Sequence, residues 1–301
     1  MLSFTTRIFL YTALLTGLSL SAAAQSRHSV KASDTEGTTV SITIEQAGGN
    51  PAQVKREDLA LYENGLEQRI LGLSYDPSPA RIVILVDNSQ TLAADVETLK
   101  KAVMEFAYEI FEGDQLFVLA YDEKAEIIQE WTDDAKKLEA SMATFRKKGN
   151  PFLFDALTDS TREILVPLMP GTRKTAIVVI GDGLDRGSKT PFNKVLSQLQ
   201  DRDIAVYALQ LPDRTGGAFR RNQPKAAKVI EDLTEGTGGR AFPLEEAQTA
   251  AKAICEELRK NRYLLSYSAV NTSTYDDRRL LIMGKDGMKI RTKSAQPPNV
   301  K

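Results

Sequence analysis

Histidine and cysteine are almost absent from this chain of 301 residues. His28 is the only histidine and Cys255 the only cysteine. A single histidine excludes a multi-histidine zinc site, and its place in an N-terminus expected to be flexible excludes a Ser-His-Asp triad. One cysteine excludes an internal disulfide. Cys255 shares the apolar face of a predicted helix, Glu245 to Lys260, with Ala247, Ala251, Ile254 and Leu258, so it is expected to be a small buried hydrophobe. The chain also lacks a Gly-x-Gly-x-x-Gly turn and a phosphate-cradling Gly-Lys-Ser/Thr, which removes the common nucleotide folds. Charge of one sign is missing too. A formal net charge of −1 gives no reason to expect nucleic-acid binding. Beyond the first two dozen residues no apolar run is long enough to span a bilayer, so no transmembrane segment is expected in the mature chain.

The N-terminus has the pattern of a cleaved secretion signal. Arg7 supplies the positive start, Ile8 to Leu20 the short apolar core, and Ala22-Ala23-Ala24 the small residues of a cleavage site. The mature protein is expected to start near Gln25 and to be secreted or periplasmic. The absence of a cysteine at that point argues against lipoprotein processing.

Residues 25–36 are expected to be a flexible N-terminus. Val40, Ile42 and Ile44 then alternate with polar residues, as in a half-buried strand, which Gly48-Gly49-Asn50-Pro51 would end. The run Leu59 to Tyr62 leads to Asn64-Gly65, a pair that favours a type I′ hairpin. Residues 37–79 are thus a small β unit with a linker. From Ala80 to about residue 260 strands alternate with amphipathic helices, which predicts an α/β domain with a doubly wound, mainly parallel sheet. Its expected strands are Arg81–Val86, Leu116–Tyr121, Thr175–Ile180, Ile204–Leu209 and a short Arg240–Phe242, with an antiparallel edge strand near Ile127. Its expected helices are Ala93–Phe111, Ala135–Phe145, Phe152–Leu168, a helix from Thr190 to Gln200, Ala226–Leu233 and the helix of Cys255. Gly113 is the expected C-terminal cap of the first, and Thr190 the N-cap of the fourth, before Pro191. Pro212 to Lys225 is a basic, Gly-bearing insertion, expected to be a solvated loop rather than a partner contact. Residues 261–293 are β again, and 294–301 a tail. Neither β flank can build a core alone. Together they are expected to form one small sheet or sandwich, into which the α/β domain is inserted.

The chemistry concentrates at Asp87-Asn88-Ser89-Gln90-Thr91, which follows the apolar run Ile82 to Val86. A second apolar strand, Ala176 to Ile180, runs into Gly181-Asp182-Gly183. In open α/β sheets ligands bind beyond the carboxyl ends of strands. Hard oxygen groups gathered there point to a divalent cation, Mg²⁺ or Mn²⁺. Asp95 is read as a carboxylate favoured by a helix N-terminus. Asp185 is expected to be a solvated loop residue, Asp155 an N-terminal helix charge, and Lys147-Lys148 a solvent-facing basic pair.

These residues resemble a von Willebrand factor type A domain. Asp87-Asn88-Ser89-Gln90-Thr91 looks like its Asp-x-Ser-x-Ser motif, Gly181-Asp182-Gly183 like its Thr-Asp-Gly loop, and Leu233 to Phe242 like a segment before the last strand of bacterial members. With Arg56 to Ile70 and Tyr263 to Lys293 included, the chain is similar to a secreted bacterial group, the VWFA-related domain proteins abundant in acidobacteria. The resemblance implies a metal ion-dependent adhesion site. Ser89 and Thr91 would donate hydroxyl oxygens, Asp87 and Asp182 would supply charge, and an acidic side chain of a protein partner would complete the coordination. One element departs. Leu153-Phe154-Asp155-Ala156-Leu157 matches the family's helix, but Pro151 stands where a metal-binding Thr is expected, leaving Asn150 as a substitute ligand. The implied function is a secreted protein-binding, adhesion or scaffolding module that is not an enzyme. The alternatives are a structural envelope protein with a degenerate metal site, or a metal-dependent phosphohydrolase. The phosphohydrolase would need an acid–base Asp at the position of Ser89.

Overall fold

The computed structural model describes residues 37–46, 54–169, 171–172, 174–216, 224–270, 276–285 and 287–298. The signal segment, His28 and the Gly48-Gly49-Asn50-Pro51 stop lie outside the described residues. Glu36 to Lys301 forms one compact unit.

The chain opens with three strands, β1 (Thr38–Gln46), β2 (Leu59–Glu63) and β3 (Leu66–Tyr75). Asn64 and Gly65 join β2 to β3, and both adopt positive φ, 50° and 81°, as a type I′ turn requires. Four more strands come from the far end of the chain: β10 (Arg262–Ser268), β11 (Arg278–Gly284), β12 (Met288–Arg291) and β13 (Ala295–Gln296). All seven pair in the order β12-β1-β10-β3-β2-β11-β13, and every pairing is antiparallel. The two flanks therefore make one sheet, as the sequence predicts. β1 is not half-buried, however: Ser41 and Thr43 are buried along with Val40, Ile42 and Ile44. Its second face lies against the α/β block, where the Ser41 N–H donates to Asp203 Oδ2 at 2.6 Å.

Between these flanks sits the α/β block. It runs β4 (Arg81–Asp87), α1 (Val96–Glu109), β5 (Gln115–Tyr121), β6 (Ala125–Thr132), α2 (Ala135–Met142), α3 (Leu153–Asp159), β7 (Thr175–Gly181) and α4 (Phe192–Asp201). β8 (Ala205–Gln210), α5 (Ala226–Thr237), β9 (Ala241–Pro243) and α6 (Ala247–Lys260) follow. The sheet order is β6-β5-β4-β7-β8-β9. All pairings are parallel except β5 with β6, which is the expected antiparallel edge. Side chains of β4 alternate between two cores. Ile82, Ile84 and Val86 pack with α1, α2 and α6. Val83 and Leu85 pack with α3, α4 and α5. A sheet covered on both faces explains why its strands are continuous apolar runs.

Several local expectations shift, each for a stated reason. α1 ends at Glu109, and Gly113 sits in the next turn rather than capping it. Asp114 holds that turn, accepting from the N–H groups of Ala80 and Phe111. The Phe152–Leu168 helix is α3 followed without a break by a π-helical stretch, Ser160–Leu165, and a short 3₁₀ turn, Val166–Leu168. Pro167 lies in that last turn and has no N–H to continue an α-helix. The N-cap of α4 is Pro191, not Thr190, whose N–H instead donates to Asp155 Oδ1. Asp95 is the N-cap of α1 and accepts from the Thr98 N–H at 2.7 Å.

Cys255 is buried as expected. Burial, then the nearby charges of Asp114 and Glu109, push its thiol well above the ordinary range. The folded protein should not react with a thiol reagent such as Ellman's reagent at pH 8, and should release one equivalent in urea. Prompt labelling of the native chain would contradict this packing.

Candidate functional site

The strand order reverses direction between β4 and β7. From β4 the chain builds outward through β5 and β6, then returns to place β7 on the other side. The crevice at this switch point is where open α/β sheets bind ligands. Asp87 ends β4 there, and Asp182 directly follows β7. Both carboxylates are completely buried, as is Ser89. Asp87 Oδ1 accepts from the Ser89 N–H at 2.8 Å, and Asp182 Oδ1 from the Leu184 N–H at 3.1 Å. These bonds fold each loop back on its own aspartate and aim the remaining oxygens into the crevice.

An arginine fills the space between them. Arg214 reaches in from the loop that follows β8. Its Nε donates to Asp182 Oδ2 at 2.5 Å, and its Nη2 to Asp182 Oδ1 at 2.8 Å and Asp87 Oδ2 at 2.5 Å. Its Nη1 donates to Ser89 Oγ at 2.8 Å and Thr91 Oγ1 at 2.7 Å. A guanidinium has five N–H donors in a fixed fork, and each has a partner here. The pairing with Asp182 is bidentate, the strong geometry for arginine with a carboxylate. Only 7% of the Arg214 side chain is exposed, a number that separates this contact from a surface ion pair. Burial opposes its charge, but the Asp182 hydrogen bonds and the charges of Asp87 and Asp182 outweigh burial and hold Arg214 above the usual guanidinium range.

The loop is built to deliver this side chain. The Leu211 N–H donates to the Gly181 carbonyl at 3.1 Å, tying the end of β8 to β7. Asp213 Oδ1 then accepts from the Thr215 N–H and from Thr215 Oγ1, closing a tight turn with Arg214 at its apex. The expectation of a merely solvated insertion over Pro212 to Lys225 is therefore corrected at Arg214. Residues 217–223 lie outside the described residues.

The structure brings four of the five expected ligands, Asp87, Ser89, Thr91 and Asp182, onto one group. Asn150 is not among the residues around that guanidinium: its Nδ2 donates to Glu123 Oε1 at 3.1 Å. Pro151 gives its carbonyl to the Arg186 N–H at 2.7 Å. Four oxygen-bearing side chains suit a hard cation in kind. With Arg214 seated, however, both hydroxyls and three carboxylate oxygens already accept from the guanidinium, and the fourth accepts from Ser89. In this arrangement the residues do not fit a divalent ion. Among the described residues no three His, Cys, Asp or Glu side chains gather as a metal-binding group.

The surrounding residues position the loops. Asp185, expected to be solvated, is buried. It accepts from the Phe154 N–H at 3.1 Å and from Ser188 Oγ at 2.5 Å, pinning the Asp182 loop to α3. Asp155 accepts from the Lys189 and Thr190 N–H groups, a second tie between the same elements. Lys147 is not solvent-facing: its Nζ donates to the carbonyls of Leu92 and Ala94, holding the loop before α3 against the loop after β4. Lys148 is exposed and pairs with Glu126 at 2.6 Å. Tyr121, at the end of β5, is fully buried, and its hydroxyl has no hydrogen-bond partner among the described residues. Burial, then the charges of Asp87 and Asp182, raise that hydroxyl far above its ordinary range, so it remains a neutral wall of the crevice.

The sequence profile of the von Willebrand factor type A domain matches residues 82–184. No curated protein sequence matches the chain. Among solved structures, the chain is similar to an aerotolerance-related membrane protein from Bacteroides fragilis, at 19% identity and a TM-score of 0.44, over 60% of this chain and 99% of that one. BatB from Bacteroides thetaiotaomicron gives 17% identity and a TM-score of 0.46, over 60% and 98%. A von Willebrand factor type A protein from Catenulispora acidiphila gives 10% identity and a TM-score of 0.49, over 87% and 75%.

Proposed function

We propose that this chain, whose α/β block is a von Willebrand factor type A domain, is a non-catalytic protein-binding module that engages an acidic partner across the strand-end face around Arg214. The observation that carries this reading is the basic rim of that face. The Asn88 carbonyl accepts from the Lys148 N–H at 2.7 Å, and Asn88 Nδ2 donates to the Arg146 carbonyl. The Arg186 N–H donates to the Pro151 carbonyl. These bonds bring Arg146, Lys148 and Arg186 to the loops bordering the buried cluster, and all three are exposed, Lys148 with Glu126 as its ion-pair partner. Exposed cations around a rigid, low-dielectric floor attract carboxylates and raise association rates. Among the described residues the Ser89 and Thr91 hydroxyls both accept from the Arg214 guanidinium, which is not a general base, and this supports binding over catalysis.

The Mg²⁺ or Mn²⁺ reading of the same face rests on the hard oxygen donors of Asp87, Ser89, Thr91 and Asp182. It requires Arg214 to be withdrawn from them. An export signal ending near Ala24 would place the module in the periplasm or outside the cell. Among the described residues no helix is long and apolar enough to cross a membrane.

The test is affinity capture from the native envelope, run in parallel with the wild-type protein and with Arg146→Glu/Lys148→Glu/Arg186→Glu, each with and without chelator. A partner that is captured by the wild type, lost with the charge-reversed rim and indifferent to chelator supports the reading. Equal capture by both proteins sinks it, and loss on chelation favours the cation reading instead.

A further inference from the structure

We infer that Arg214 is the resident cation of this von Willebrand factor type A site: an internal guanidinium stands where the family resemblance calls for a metal, and makes the site metal-independent. The inference does not depend on the identity or existence of the acidic partner.

Three observations converge on it. The first is saturation. All five guanidinium donors and all six oxygens of the Asp87, Ser89, Thr91 and Asp182 side chains are engaged, five of the oxygens by Arg214 and Asp87 Oδ1 by the Ser89 N–H. No donor is left over for solvent, and every one of the six oxygens already accepts a hydrogen bond. A guanidinium that had merely drifted into an acidic crevice would leave part of its fork unmatched.

The second is the delivery of the side chain. The turn at Asp213 and Thr215, and the tie from Leu211 to Gly181, are formed independently of the guanidinium. The Arg214 N–H itself donates to Asp182 Oδ2 at 3.3 Å, so backbone and side chain converge on one carboxylate. A preformed turn lowers the entropy lost in seating a long side chain.

The third is the missing ligand. The loop before α3 carries Pro151 at the position of the expected hydroxyl, and the amide of Asn150 turns to Glu123. A cation site short of a ligand, and an arginine in the middle of the others, are two faces of one substitution. Charge agrees with this. Two buried carboxylates need positive charge among them. Arg214 supplies one unit permanently, because a guanidinium does not titrate in proteins.

Paramagnetic Mn²⁺ is the probe. The free-ion electron paramagnetic resonance signal is followed as Mn²⁺ is titrated into the full mature chain, up to the millimolar range in which weak extracellular cation sites fill. The wild type should leave the signal of the free ion undiminished. Arg214→Ala should take up one equivalent and gain about 100-fold or more in Mn²⁺ affinity, the upper end of ordinary coupling between competing groups. That uptake should vanish in Arg214→Ala/Asp182→Asn. Methylguanidinium at millimolar concentration should raise the melting temperature of Arg214→Ala and leave that of the wild type unchanged. Uptake of one Mn²⁺ by the wild type, abolished in Asp87→Ala, would overturn the inference. So would an Arg214→Ala chain with native near-ultraviolet circular dichroism that neither takes Mn²⁺ nor responds to methylguanidinium. The wild-type titration decides the matter if the variant does not fold.

Discussion

Arg214→Ala should unfold at a much lower urea concentration than the wild type, with a loss of about 3–5 kcal/mol, the usual cost of removing one partner from a buried ion pair. The cause is what stays behind. Asp87 and Asp182 are completely buried and lie where two adjacent strands end. Without the guanidinium they are two like charges in a low-dielectric crevice, each having lost its main donor. A surface ion pair would cost at most about 1 kcal/mol. A measured loss of that size would show that Arg214 spends its time in solvent. The pH dependence adds an independent sign. Burial already raises the Asp87 carboxyl above its ordinary value, and Arg214 is the first opposing influence. Deleting Arg214 removes that opposition, so the folded-state pKa rises further above that of the unfolded chain. The folded variant then binds more protons than its unfolded state between those two values, and its stability increases as pH falls through that window. The deficit relative to wild type should therefore shrink as pH falls below neutrality. A deficit that widens on acidification would mean that the carboxylates are not left buried and unpaired. Arg214→Lys keeps a charge but loses the planar fork, and should fall between the two.

The fold was legible because its signals are periodic. Ile82 to Val86 and Ala176 to Ile180 are apolar without interruption, and only a strand covered on both faces needs that. Asn64-Gly65 announces its hairpin because few other pairs adopt two positive φ angles in a row. The boundaries were less legible where a tertiary partner replaced a local one. Asp114 holds the turn at Gly113, and Asp155 takes the N–H of Thr190. A window of sequence cannot see a partner 35 residues away. Four members of the site were legible for the same reason as the strands: Asp87, Ser89, Thr91 and Asp182 follow apolar runs at the ligand-binding edge. Arg214 also follows such a run, the strand ending at Gln210, in the loop beyond its carboxyl end. That rule would have placed it beside the aspartates. Its basic, Gly-bearing surroundings have the composition of a solvated loop, and composition outweighed position. The same substitution of charge for hydrophobicity hid Lys147 and Asp185, whose buried polar ends meet backbone groups that no sequence window pairs with them.

Gly183→Ala should be the most damaging small substitution near the site. Gly183 follows Asp182 and has φ +82°, a conformation that costs an L-residue roughly 1–2 kcal/mol. A methyl group there would also sit 2.4 Å from the Ala226 carbonyl oxygen and 2.8 Å from Ile230 Cγ1. The first contact is backbone in the opening turn of α5, which cannot rotate away. Overpacking of that kind adds about 1–3 kcal/mol. Gly65→Ala isolates the two terms. Gly65 has a similar φ, +81°, but nothing lies within 4 Å of the added carbon. It should therefore show the conformational cost alone. Urea denaturation of both variants should place Gly183→Ala clearly below Gly65→Ala. Equal losses would mean that α5 yields to the methyl group, and that the Asp182 loop is not clamped between β7 and that helix. If the clamp is real, the damage reaches the site directly, because the loop that Gly183 turns also holds the carboxylate gripped by Arg214 at both oxygens. A displaced Asp182 loosens the guanidinium.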